Sequence, residues 1–157
     1  MAKDVSLSQG KVAIVDDEDY ESVSLHKWYY DGGYAVRNVR ISSDKRVRER
    51  LHRFIMKPTE KDDDLVIDHI NRNTLDNRKT NLRWASRSQN IMNSCKKSKT
   101  ARYKGITYHA TTKKWRARIG IGNKRFSLGL FDSQEDAASA YDRAARDLFN
   151  EFALTNF

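Results

Sequence analysis

An aspartate and a histidine stand side by side at Asp68-His69, and asparagines follow 13 and 22 positions after the aspartate, at Asn81 and Asn90. A carboxylate such as Asp68 is a hard oxygen ligand for Mg²⁺ or a similar cation, and the amide of Asn90 offers a second, neutral oxygen. Two protein ligands leave the remaining positions of such an ion to water and phosphate oxygens. A neutral imidazole beside a scissile phosphate can take a proton from water. One divalent cation with a base next to it suits phosphodiester hydrolysis. Each residue also has an ordinary reading: Asp68-His69 as a solvated loop pair, Asn81 as a turn residue, Asn90 as helix surface.

These residues need elements to position them. Leu65-Val66-Ile67 reads as a strand that runs into Asp68-His69 and fixes their backbone. If the strand persists, His69 points away from Asp68, so the two do not share one metal. Asn71 to Asn81 is rich in Asn, Asp and Arg and reads as a loop, and Leu82-Arg83-Trp84-Ala85 as the return strand. Ser86 or Ser88 can cap a short helix that carries Gln89, Asn90 and Met92. Upstream, Leu51, Phe54 and Ile55 predict a helix over Arg48 to Met56, closed by Pro58. Trp28-Tyr29-Tyr30 and Tyr34-Ala35-Val36 around Asp31-Gly32-Gly33 predict a hairpin, and Lys11 to Val15 a strand ending in the acidic run Asp16 to Asp19.

After residue 101 the pattern changes. Tyr103 to Tyr108, Trp115 to Ile121 and Arg125 to Phe131 predict three antiparallel strands, with turns at Thr111-Thr112-Lys113 and Gly122-Asn123. Asp132 or Ser133 caps a helix whose face is Ala137, Ala140, Tyr141, Ala144, Ala145 and Leu148. That many alanines imply close packing on the sheet. Arg116 and Arg118 share one strand face, opposite Trp115, Ala117 and Ile119. The expected fold class is α+β.

Charge points to a polyanionic partner. The 157 residues carry 30 Lys+Arg against 21 Asp+Glu, with pI near 9.7. Residues 94–131 hold eleven basic residues and no acidic one. The run Ser94-Cys95-Lys96-Lys97-Ser98-Lys99-Thr100 lacks apolar periodicity and reads as a basic linker over 94–101. A second basic run, Arg40, Lys45, Arg46, Arg48, Arg50 and Arg53, reads either as a DNA-backbone track or as a solvated face. Cys95 is the one cysteine, which excludes an internal disulfide and a Cys-rich zinc site. No apolar leader or membrane-length run occurs, so the expected location is cytoplasmic.

The segment from about Leu51 to Asn93 resembles the HNH endonucleases of the phage and intron-encoded homing type. The matching text is Leu51-His52-Arg53, Ile67-Asp68-His69-Ile70-Asn71, Asp76-Asn77-Arg78, Asn81-Leu82-Arg83 and Ser88-Gln89-Asn90. The resemblance implies a ββα-metal fold holding one divalent cation, Mg²⁺ or alternatively Mn²⁺. Asp68 and Asn90 would be its ligands, His69 the general base, and Asn81 the residue that holds the loop so that His69 is oriented. Many HNH proteins bring a second histidine from the helix; Asn90 stands there in this chain, which argues for a hard metal over zinc. Val12 to Val39 is similar to the region that precedes this motif in phage proteins. His52 is expected to be structural.

Residues 102–157 resemble the Apetala-two/ethylene-response-factor DNA-binding domain. The matching text includes Tyr103-Lys104-Gly105-Ile106, Lys114 to Ile119, Leu128 to Phe131, Ala140-Tyr141-Asp142 and Ala153 to Phe157. That family lays its sheet in the major groove. By position Lys104, Trp115, Arg116, Arg118 and Arg125 would be the contacts, joined by Lys96 and Lys97 of the linker; Trp115 is equally a core candidate.

The domain organisation read here is an HNH domain over 1–93 (a β-rich segment over 1–47 and a ββα-metal core over about 51–93), the linker, and the DNA-binding domain over 102–157. The function expected is a metal-dependent, site-specific DNA endonuclease of a phage or mobile element, acting on double-stranded DNA in an infected host cell, as a nicking monomer or a dimer. The alternatives are a non-catalytic DNA-binding regulator and a nuclease selective for branched or damaged DNA.

Overall fold

A computed structural model describes residues 1–94, 101–122 and 124–157. The chain forms two compact units, Met1–Ser86 and Arg87–Phe157. The expected linker falls mostly on residues outside those described, among them Lys96 and Lys97.

In the first unit, β1 (Ala2–Ser6) pairs antiparallel with β2 (Val12–Asp16), and Val5, Ala13 and Val15 turn inward. A helix, α1 (Asp17–Ser24), follows at once. Its first turn holds Asp17, Glu18 and Asp19, which complement the positive end of the helix dipole. β3 (Tyr29–Asp31) and β4 (Tyr34–Arg40) form the expected hairpin. Gly32 and Gly33 occupy its turn at φ 55° and 97°, a conformation side chains resist.

β5 (Arg46–Arg50) completes that sheet beside β4, and α2 (Leu51–Met56) begins only at Leu51. The helix expected from Arg48 is therefore shorter. Its first three residues alternate across a strand, because they complete the ladder from Arg40↔Arg46 to Val36↔Arg50. β6 (Leu65–His69) and β7 (Leu82–Ser86) pair antiparallel from Leu65↔Ser86 to His69↔Leu82. Val5, Ala13, Val15, Val23, Trp28, Ala35, Leu51, Ile55 and Leu82 make the core.

The second unit opens with α3 (Arg87–Met92), directly after β7 in the chain. β8 (Ile106–His109), β9 (Lys114–Ile121) and β10 (Lys124–Phe131) form an antiparallel sheet in the order β10-β9-β8. β8 starts later than expected, because Gly105 turns the chain at φ 78° ahead of it. α4 (Gln134–Phe149) packs on this sheet through Ala137, Ala138, Tyr141 and Ala145. Its N-cap is Ser133, whose Oγ accepts from the Asp136 N–H at 3.0 Å. Leu148 is exposed and Phe149 takes the core position expected of it. The buried Asp142 carboxylate accepts from the backbone of Asn156 and Phe157 and from the Asn156 amide, at 2.8–3.0 Å. That ties the final residues to α4.

Candidate nuclease site and nucleic-acid face

The site is built around the end of β6. Asp68 lies opposite Arg83 in the ladder, so both side chains stand on one face. Arg83 donates to Asp68 Oδ2 through Nε at 3.0 Å and through Nη2 at 2.9 Å. Both side chains are largely buried, so the guanidinium offsets much of the cost of a desolvated carboxylate. His69 lies on the other strand face, as expected, and is 5% exposed.

The loop from Ile70 to Asn81 is a knot of polar bonds. The backbone of Ile70 donates to the Asn81 carbonyl, and that of Arg72 to the His69 carbonyl. Asn81 Oδ1 accepts from the Asn71 N–H at 2.9 Å, and its Nδ2 donates to the Asp76 carbonyl at 2.8 Å. Asn71 and Arg78 both donate to Asp76. The Arg78 guanidinium holds the Asp76 carboxyl below the usual carboxylate range. Ile14 on β2 exchanges backbone bonds with Leu75 and Asn77, which pins the loop to the first sheet. Asn81 thus fastens the loop that follows His69.

A different asparagine of that loop reaches the His69 ring. Asn77 is almost fully buried, and its Oδ1 lies 3.5 Å from His69 Nε2, at the long limit of a hydrogen bond. His52, on α2, meets His69 from another side, with ring centroids 5.1 Å apart, and Tyr34 borders both rings. Burial lowers the His69 pKa from its ordinary value, while Asn77, Asp68 and Asp76 pull it back up. Burial also takes His52 down to about 3, with help from His69, Arg50 and Arg53. Both rings are neutral at physiological pH.

Sequence reasoning does not single out Asn77 or Arg83, and it places His52 as structural. Arg83 has a readable signal: a cation a few residues into the return strand of a hairpin can face the acid near the end of the first. Asn90 lies on α3, in the second unit. Among the described residues no three His, Cys, Asp or Glu side chains converge as a metal cage. Asp68 and Asn90 each offer an oxygen donor of the kind a hard, hydrated cation takes.

In the second unit, the ladder puts Arg116, Arg118 and Arg125 on one sheet face, with Thr107, Lys114 and Ser127. Trp115 stands on the opposite face with Ala117 and Ile119, paired with Tyr108 at 5.0 Å between ring centroids. Trp115 is half-buried, so the structure puts it beside the helix-facing residues. Lys104 Nζ donates to the Met92 carbonyl, and the ammonium lies 6.0 Å from the Tyr141 ring centre. That position is apart from the arginine row.

Comparison with known proteins finds two families along the chain. The sequence model of the HNH endonuclease family matches residues 51–92, and that of the AP2 domain matches residues 101–151. An uncharacterised HNH endonuclease of Acanthamoeba polyphaga mimivirus is 31% identical over 152 residues, covering 94% of this chain and 76% of the viral protein. An ethylene-responsive transcription factor of Arabidopsis thaliana is 44% identical over 59 residues, 36% of this chain and 14% of the plant protein. An AP2-like ethylene-responsive transcription factor of the same plant is 49% identical over 57 residues, 35% of this chain and 10% of its own length.

Proposed function

Because the chain belongs to the HNH endonuclease family and carries an AP2 domain, we propose that it is a metal-dependent, site-specific DNA endonuclease of the homing type, borne by a phage or other mobile element. The observation that carries the reading is His69: a buried, neutral imidazole one residue from a buried carboxylate, behind a loop fixed by Asn81.

His69 is the general base. With Nε2–H donated to Asn77 Oδ1, the basic lone pair of the neutral ring would be the one on Nδ1, the atom that would take a proton from water. Asn81 keeps the backbone around His69 from drifting, which matters because general-base catalysis depends on sub-ångström placement. Asp68 and the Asn90 amide would hold one Mg²⁺, or Mn²⁺ in its place. When bound, that ion supplies positive charge to the phosphate and to the leaving 3′ oxygen. Arg83 keeps the Asp68 carboxylate oriented. The products are a 3′ hydroxyl and a 5′ phosphate. On the second unit, Arg116, Arg118 and Arg125 present their guanidiniums from one sheet face, a geometry that suits bidentate contact with guanine edges in the major groove. Lys104, Lys96 and Lys97 are assigned supporting contacts, and Trp115, on the opposite face, supports the sheet from behind.

One site cuts one strand per binding event, so a monomer nicks and a dimer can break both strands. Incubating the purified chain with supercoiled plasmid and Mg²⁺, then separating nicked, linear and supercoiled forms, tests the reading. Metal-dependent nicked or linear product supports it. DNA that is bound and stays supercoiled makes the chain a non-catalytic regulator.

A further inference from the structure

The first unit carries a charged surface that the nuclease chemistry leaves unexplained. Facing pairs in the β3-β4-β5 ladder share a side of the sheet. Arg40 faces Arg46, Asn38 faces Arg48, and Val36 faces Arg50. Tyr29 and Tyr34 are on that side too. The opposite side holds the buried Ala35, and Arg37 there is clamped by Glu49 and lies over Trp28 and Phe54. One side is thus core, and the other, open apart from the buried Val36, carries four arginines.

Few acids answer them. Asp31 pairs with Arg48 at 2.8 Å, and Asp44 sits in the turn between β4 and β5. Among the described residues, Arg40, Arg46 and Arg50 pair with no carboxylate. Alternate residues of a strand stand about 6.8 Å apart, so Arg46 to Arg50 spans about 14 Å. Next to the row lies a cleft of about 390 Å³, lined by Tyr34, Arg48, Arg50 and Arg53 among others. The Arg50 guanidinium rests 4.3 Å from the centre of the Tyr34 ring, and that ring is 6.3 Å from the His69 ring. One end of the basic row therefore lies a single aromatic ring from the base.

We propose that the open face of the β3-β4-β5 sheet is a second DNA-contacting surface, a track for the phosphates of the strand that is cut. The inference rests on the nuclease reading for the identity of the strand, and on charge for the occupant. Guanidinium forks match phosphate oxygens in pairs, and a row of them grips a backbone without reading its sequence. A nuclease unit that holds the backbone beside its own base can position the scissile bond through contacts of its own.

The test measures binding alone. In the full chain carrying His69→Ala, so that DNA stays intact, R46A/R50A is compared with K27A/K61A, which removes the same charge from other exposed sites of that unit. The probe is a mixed-sequence duplex oligonucleotide, titrated at several salt concentrations. R46A/R50A should flatten the plot of log affinity against log salt by about 1.8, which is about 0.9 for each phosphate no longer neutralised, while K27A/K61A leaves the slope unchanged. R46K/R50K should keep the parental slope, because the charges remain. Equal slopes for the two alanine pairs would overturn the proposal, as would a flattened slope in the lysine variant. No bond breaks in this assay, so it can fail while the parent chain still nicks plasmid, and the reverse.

Discussion

The imidazole rings of His52 and His69 meet edge to face, 78° apart in plane and 5.1 Å between centres. Both are buried, and His52 Nδ1 is enclosed with no hydrogen-bond partner among the described residues. His52 therefore acts on His69 as a neutral wall, and below about pH 6.5 it stays neutral only while the fold encloses it.

This makes stability depend on acid. In the unfolded chain His52 takes a proton near its ordinary value of 6.5, and in the folded chain near 3. Between those values the unfolded state binds more protons, so stability is full above about pH 6.5 and falls as pH drops toward 3. The loss is about 1.4 kcal/mol per pH unit. His52→Phe should reduce that acid dependence. Thermal melts at pH 7 and pH 5 check it; an unchanged pH dependence would remove His52 as the cause.

Asp68→Ala should stop cleavage and weaken Mg²⁺ and Mn²⁺ binding together. It also removes the carboxylate that pairs with the largely buried Arg83 guanidinium, so stability should fall as well. Calorimetric titration with Mn²⁺ and a thermal melt separate the two effects. Parent-like metal binding in Asp68→Ala would show that the carboxylate is no ligand.

The order strand, loop, strand, helix around Asp68 and His69 is legible because its apolar runs and its Asn-rich loop differ so sharply. The helix α1 is not. Its only buried residue is Val23, so no apolar stripe marks it. β5 merges into α2 in the sequence pattern because Leu51, Phe54 and Ile55 set a helical period that the charged residues before them do not contradict. The pairing of Asp68 with Arg83, and the approach of Asn77 and His52 to His69, depend on ladder register and loop packing. Those are tertiary facts with no local signature. On α4 the apolar stripe reads correctly up to Ala145, and its end slips by one residue from Phe149 to Leu148.

Arg116→Ala and Arg118→Ala should relax sequence preference more than Lys96→Ala or Lys97→Ala. A bidentate base contact is worth about 1–3 kcal/mol of discrimination, whereas a phosphate contact carries none. Binding to a duplex selected from a randomised pool, against its scrambled counterpart at fixed salt, decides it. Discrimination governed by the linker lysines would remove the sheet from the groove.

Gly105→Ala should unfold the second unit selectively. At φ 78° an added methyl would run into the Tyr141 ring and come within 2.9 Å of the Arg118 carbonyl. The backbone cost alone is about 1–2 kcal/mol, before the clash is counted. Limited proteolysis should cleave after residue 101 while the first unit survives. Parental stability would mean that the ring moves aside freely.

The most direct measurement is cleavage of supercoiled plasmid by His69→Ala beside the parent, with duplex affinity measured on the same preparations. The account predicts a rate about 10²–10⁴-fold lower with duplex affinity nearly unchanged, because the base is lost while the DNA contacts remain. Parental cleavage by His69→Ala, or affinity falling in step with rate, would contradict the assignment of His69 as the base.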